Sequence, residues 1–131
     1  MKCFLIFLFL FCFNSCFCQF WGDSTILHQD IFYTVEKNPQ FGNSVNEYYK
    51  FIADNLLIES GTIVSLMKNV VTVKIVVSKS GKIVYAEVTD GINETCNRAV
   101  LDLIKKMPSW SPGKQNGKPV SCFVNLPILI I

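Results

Sequence analysis

The run Val70-Val71-Thr72-Val73-Lys74-Ile75-Val76-Val77 leaves this chain few ways to fold. β-Branched side chains are stiff in a helix and pack well on a pleated surface, so a stretch this dense in them reads as a strand. Alternation puts Val71, Val73, Ile75 and Val77 on one face and Lys74 and Ser78 on the other, which predicts one face buried more completely. Lys79-Ser80-Gly81-Lys82 is a tight turn in which Gly81 is free to take positive φ. Ile83–Thr89 returns as a second strand, and Asp90-Gly91 ends it.

Helical periods flank this hairpin. Ser44-Val45-Asn46-Glu47 is a capping box: the Ser hydroxyl accepts from the amide three residues on, and the Glu reaches back to the Ser amide. Behind it Val45, Tyr48, Tyr49, Ile52 and Leu56 fall at helical spacing and predict a helix over about 44–57. Residues 58–68 are ambiguous: Ile63, Val64 and Met67 suit a second short helix, while Gly61 and Thr62 weaken it. Asn93 caps a helix whose apolar stripe is Cys96, Ala99, Val100, Leu103, Ile104 and Met107. Arg98, Asp102, Lys105 and Lys106 form its polar side; the two lysines suit the negative end of the helix dipole, and Pro108 stops it.

Pro112-Gly113 and Asn116-Gly117 build a rigid loop. Pro119–Leu126 then alternates Val120, Cys122, Val124 and Leu126 against Ser121, Phe123 and Asn125, a last strand closed by Pro127. The order predicts an α+β domain: a three-stranded antiparallel sheet with two main helices packed on one face. Cys96 and Cys122 fall at inward-facing positions and read as core residues.

At 131 residues there is room for one domain and little else. A net charge of +2 is too weak to argue for nucleic acid or a membrane surface, and the scattered lysines read as a solvated exterior. The first residues set the compartment. Lys2 supplies a positive start and Phe4–Phe13 is unbroken apolar sequence, long enough for a signal-peptide core and well short of the roughly 20 residues that span a bilayer. Asn14 and Ser15 break it. Three readings stay open. Cleavage before Gln19 follows the small alternate residues Cys16 and Cys18; lipidation of Cys16 follows a loose lipobox, Phe13-Asn14-Ser15-Cys16; an uncleaved anchor reaching Trp21 would bury Asn14, Ser15 and Gln19 at a cost. Four of the six cysteines lie in this segment and form no disulfide framework or metal site. Between Cys96 and Cys122 an oxidising compartment allows a bridge without requiring one.

Catalysis finds little footing. His28 is the single histidine, in an irregular segment, and no Cys-His or Ser-His-Asp set assembles around it. His28, Cys96 and Cys122 lack metal-ligand spacing, and neither a metal nor an organic cofactor is expected. Asp90, Glu94 and Asp102 read as cap and surface charges rather than an acid/base pair. Lys79-Ser80-Gly81-Lys82 is too short for a phosphate loop and no helix follows it.

Four stretches resemble one family. Met107-Pro108-Ser109-Trp110-Ser111-Pro112-Gly113-Lys114-Gln115-Asn116-Gly117-Lys118-Pro119-Val120 is similar to the helix end, tryptophan and following loop of the TonB C-terminal domain. Val35-Glu36-Lys37-Asn38-Pro39-Gln40-Phe41-Gly42 resembles its opening motif, Phe51–Leu56 the end of its first helix, and Leu126-Pro127-Ile128 the end of its last strand. The likeness covers roughly 33–130. Ile58-Glu59 stands where a Tyr-Pro pair is usual, and Asn69 where a Gly commonly precedes the first long strand. Complete transducers also carry an anchor helix and a long Pro-rich stalk, neither of which is read here.

The resemblance implies an organisation and a job. Residues 1–18 are the targeting segment, 19–32 a linker and entry segment, and 33–131 the domain; Gln19–Gln40 has no clear period and reads as a tether with one short strand expected near Ile31–Val35. Trp110, Pro112, Gly113, Asn116, Gly117 and Pro119 are its structural motif. The family binds outer-membrane receptors by strand addition, which places the partner on the edge formed by Val120, Ser121, Cys122, Phe123, Val124, Asn125 and Leu126. The implied setting is the periplasm or cell envelope. The implied partner is a TonB-dependent receptor, another protein or a second copy of the chain, with the membrane touched only through the N-terminal segment. Two outcomes stay open: a docking module linked to TonB-dependent transport, and an accessory envelope protein that keeps the fold without energy transduction. A lead-in segment lying over the last strand would leave the edge inert.

Overall fold

The computed structural model describes residues 20–22, 30–58 and 69–130. The targeting segment, Cys16, His28 and the ambiguous stretch 59–68 lie outside the described residues. Among those described, the order is β1 (Phe20–Gly22), α1 (Val45–Asn55), β2 (Val70–Val77), β3 (Ile83–Asp90), α2 (Glu94–Lys105), β4 (Gly113–Gln115), β5 (Lys118–Val120) and β6 (Cys122–Leu129). None of the helices among the described residues is long and apolar enough to cross a membrane.

The α+β architecture matches the expectation, but the antiparallel sheet has four strands in the order β1-β3-β2-β6, rather than three. The extra strand is three residues long, too short to show a period, and pairs Trp21 with Ala86. β2 lies in the centre, pairing with β6 from Val70↔Leu129 to Val77↔Cys122 and with β3 on its other side. Val71, Val73, Ile75 and Val77 are fully buried, as the alternation requires. Cys96, Val100, Leu103 and Ile104 of α2 and Ile52 of α1 join them in one core cluster. Val76 is also fully buried and Tyr85 nearly so, so the opposite face is less open than the lysine and serine suggested.

The caps form as read, with one change. Asn93 accepts from the Cys96 amide at 2.8 Å and Ser44 from the Glu47 amide at 3.3 Å. Glu47 bonds the Asn43 amide at 2.9 Å, one residue before the reciprocal partner expected. The stripe of α2 is rotated so that Asn97 is buried and Ala99 and Met107 are only half-buried. Asn97 is satisfied: its side-chain oxygen accepts from the Ile92 amide at 3.1 Å and holds the β3–α2 loop. Neither Cys96 nor Cys122 is bridged, and both are buried thiols.

The expected rigid loop is a β-hairpin. Gly113↔Val120 and Gln115↔Lys118 pair across Asn116 and Gly117, both at positive φ of 52° and 74°. Asn-Gly suits a two-residue turn of this hand because its backbone twist matches that of paired strands. The hairpin receives the stretch before α1: the Lys37 and Lys114 amides each donate to the other's carbonyl at 3.1 and 2.9 Å, and Gln40 and Ser111 do the same at 3.0 and 2.8 Å. Glu36 and the Gln115–Asn116 turn add two further bonds. In place of a strand near Ile31–Val35 there are isolated bridges at Phe32, Lys37 and Gln40.

Trp110 anchors the junction. Its amide donates to the Gly81 carbonyl at 2.7 Å, and its ring meets Phe41 edge-on at 5.6 Å, next to Phe51 and Tyr48. The turn after β2 is thereby tied to α1 through aromatic contacts. The indole N–H is buried with no hydrogen-bond partner.

Candidate functional site

Two corrections fix where the last strand lies. β6 begins at Cys122, and Val120 belongs to β5, paired with Gly113 in the hairpin. The strand also does not close at Pro127 but runs through it to Leu129. Pro lacks an N–H, so within a sheet it is tolerated only where that N–H would face away from the neighbour. Position 127 meets that condition on an edge strand, and Thr72 pairs opposite it without a break in register.

β6 has a neighbour on one side only in the sheet order, so its other side is an edge. Backbone direction along it follows from one bond. The Phe123 amide donates outward to the Phe32 carbonyl at 3.0 Å. In an antiparallel pair such groups alternate, so Phe123, Asn125, Pro127 and Leu129 present their backbone outward, while Cys122, Val124, Leu126 and Ile128 face β2.

The outward groups are not equally free. The Ser121 carbonyl accepts from the Phe32 amide at 3.0 Å, so the Ser121 carbonyl and the Phe123 amide are both engaged by the chain's own lead-in. Tyr33 stacks on Phe123 with ring centroids 4.6 Å apart, and the Lys74 ammonium lies 4.3 Å from the Phe123 centroid. At the other end the Tyr48 hydroxyl donates to the Pro127 carbonyl at 3.3 Å. Between these two blocks stands Asn125, exposed, its backbone aimed away from β2.

Of the seven residues expected on the edge, Asn125 offers open outward groups; Ser121 and Phe123 are outward, with the Ser121 carbonyl and the Phe123 amide engaged by Phe32. Cys122, Val124 and Leu126 point their backbone at β2, and Val120 lies off the strand. Sequence reasoning missed Leu129 and the α1 residues beside it. Tyr49, Ile52, Ala53, Leu56 and Leu129 line a groove of about 450 Å³ between α1 and the end of β6. Tyr49 is 55 % and Leu129 39 % exposed on its rim. Val45, Tyr49, Ile52 and Leu56 recur at helical spacing and were readable as a stripe; that part of it faces a groove was not.

The titratable residues carry surface and core roles. Glu94 pairs with Arg98 at 2.9 Å and Asp102 with Lys105 at 3.8 Å, all exposed on α2. Burial pushes the Cys122 thiol above its ordinary pKa, partly opposed by its hydrogen bond with the Gly113 backbone. Burial also raises Tyr48, with the neighbouring Tyr49 adding to it.

The last strand lies at a sheet edge beside an apolar helix face, a surface whose unpaired backbone groups can accept an added strand. Residues 67–129 match the family described as Gram-negative bacterial TonB protein C-terminal, a span that includes β2 through β6. Over that stretch the chain is similar to the TonB C-terminal domain family. The match starts beyond α1, so the lead-in and α1 lie outside it. No curated protein and no solved structure matches the chain.

Proposed function

We propose that this protein is a binding module of the Gram-negative envelope that docks an extended segment of an outer-membrane receptor or partner by adding it to the outer edge of β6, in the service of TonB-dependent transport. The observation that carries this reading is the open outward backbone of exposed Asn125 on an edge strand of a domain similar to the TonB C-terminal domain. A strand entering there gains the hydrogen bonds an edge leaves unmade. Toward Leu129 it meets the groove of Tyr49, Ile52 and Leu56, which suits an apolar side chain. Export through residues 1–18 fits this setting, with Cys16 the acceptor if the segment is a lipoprotein signal. The test is to mix the protein with plug-domain peptides of outer-membrane receptors and follow backbone amides of β6. Protection of Asn125 supports the reading, and no change along β6 with any peptide contradicts it.

A second reading is an accessory envelope protein without energy coupling. Phe32 favours it, because it already occupies Ser121 and Phe123. Deleting the gene separates the two: loss of receptor-dependent uptake supports the docking module, and unchanged uptake supports the accessory role.

A further inference from the structure

We propose that the Phe32–Tyr33 stretch is a detachable strap over the partner site, so that docking across Ser121–Phe123 requires its release; this rests on the docking reading above. The strap is an isolated bridge held by two backbone hydrogen bonds, against eight paired positions between β6 and β2. Its side chains are on the surface: Phe32 is 38 % and Tyr33 75 % exposed, and Thr34 is exposed as well. What fastens it beyond the amides is the Tyr33–Phe123 stack, with the Lys74 ammonium 5.4 Å from the Tyr33 centroid.

An incoming strand offers the same N–H and C=O groups as Phe32, so its hydrogen bonds replace the strap's like for like. Release does not require unfolding, because the chain is pinned again at Lys37–Lys114 and Gln40–Ser111 before α1 begins. The strap therefore sets the fraction of molecules with a long open edge. Apparent affinity for a partner is reduced by that fraction, and loosening the strap restores it.

The test uses the full chain and two variants. Tyr33→Ala removes the stack from an exposed position, and Phe32→Pro removes the amide that Ser121 accepts from. Amide exchange at Phe123 and affinity for receptor plug-domain peptides are measured in all three. The proposal expects faster exchange at Phe123 with Val124 and Leu126 unchanged, and peptide binding tighter by roughly two- to tenfold, the range such an aromatic pair carries. A freed Phe123 amide with unchanged peptide affinity contradicts the strap and leaves docking standing. Absence of binding to the wild type and both variants contradicts the docking reading itself, and the strap with it.

Discussion

The hydroxyl of Tyr48 on α1 donates to the carbonyl of Pro127 in β6 at 3.3 Å. Pro127 has no N–H to offer and its carbonyl is engaged, so the outer edge is interrupted at that residue. Asn125 is left between this block and the Phe32 bridge.

Tyr48→Phe is expected to destabilise the domain by about 1 kcal/mol, the net worth of one hydrogen bond. The check is urea denaturation at neutral pH.

Tyr48 also sets an alkaline limit. Burial raises its folded pKa above the ordinary value, with Tyr49 adding to the shift. The unfolded phenol loses its proton near about pH 10 while the folded one keeps it, so above that pH the folded state binds more protons and stability falls as pH rises. Below it the contribution is fully present. Stability measured from pH 8 to 11 should decline above about 10, and less steeply in Tyr48→Phe.

Gly81→Ala should cost about 2 kcal/mol or more. Gly81 sits at φ +85°, and a Cβ there would collide with the Trp110 carbonyl, whose own amide is bound to Gly81. Thermal unfolding monitored by Trp fluorescence checks it.

Trp110→Ala is expected to cost about 3–5 kcal/mol through the cavity it opens beside Phe41. Trp110→Phe should cost markedly less. It keeps most of the ring and removes a buried N–H without a partner, a group whose burial costs about 1–3 kcal/mol. Denaturant midpoints of the two variants give the comparison.

Pro127→Ala supplies the missing outward N–H, so the open edge then extends from Asn125 toward Leu129. Longer bare edges pair with one another. Sedimentation velocity should show more self-association in Pro127→Ala than in the wild type.

The parts legible in the sequence were those fixed by local chemistry. The β-branched run of β2, the Asn93 cap and the helical stripes each state their structure within a few residues. The Asn116-Gly117 dipeptide also declared a turn, though its hairpin became evident only once Gly113 was seen opposite Val120. Pro127 misled because a proline reads as a strand's end, whereas its tolerance depends on which side of the strand faces a neighbour, a tertiary fact. Two of the four stretches that carry the family likeness, Val35–Gly42 and Met107–Val120, are paired through Lys37–Lys114 and Gln40–Ser111, and nothing local announces that. The same holds at the candidate site. Alternation listed which residues share a face of β6, but Phe32 lies far away in sequence and nothing near it signals its partner.

Hydrogen exchange at individual β6 amides in the free protein tests the divided edge most directly. Slow exchange is expected at Phe123, which donates to Phe32, and at Val124, Leu126 and Ile128, which face β2, with fast exchange at Asn125. An Asn125 amide as protected as its neighbours, or a Phe123 amide as fast as Asn125, would contradict the divided edge.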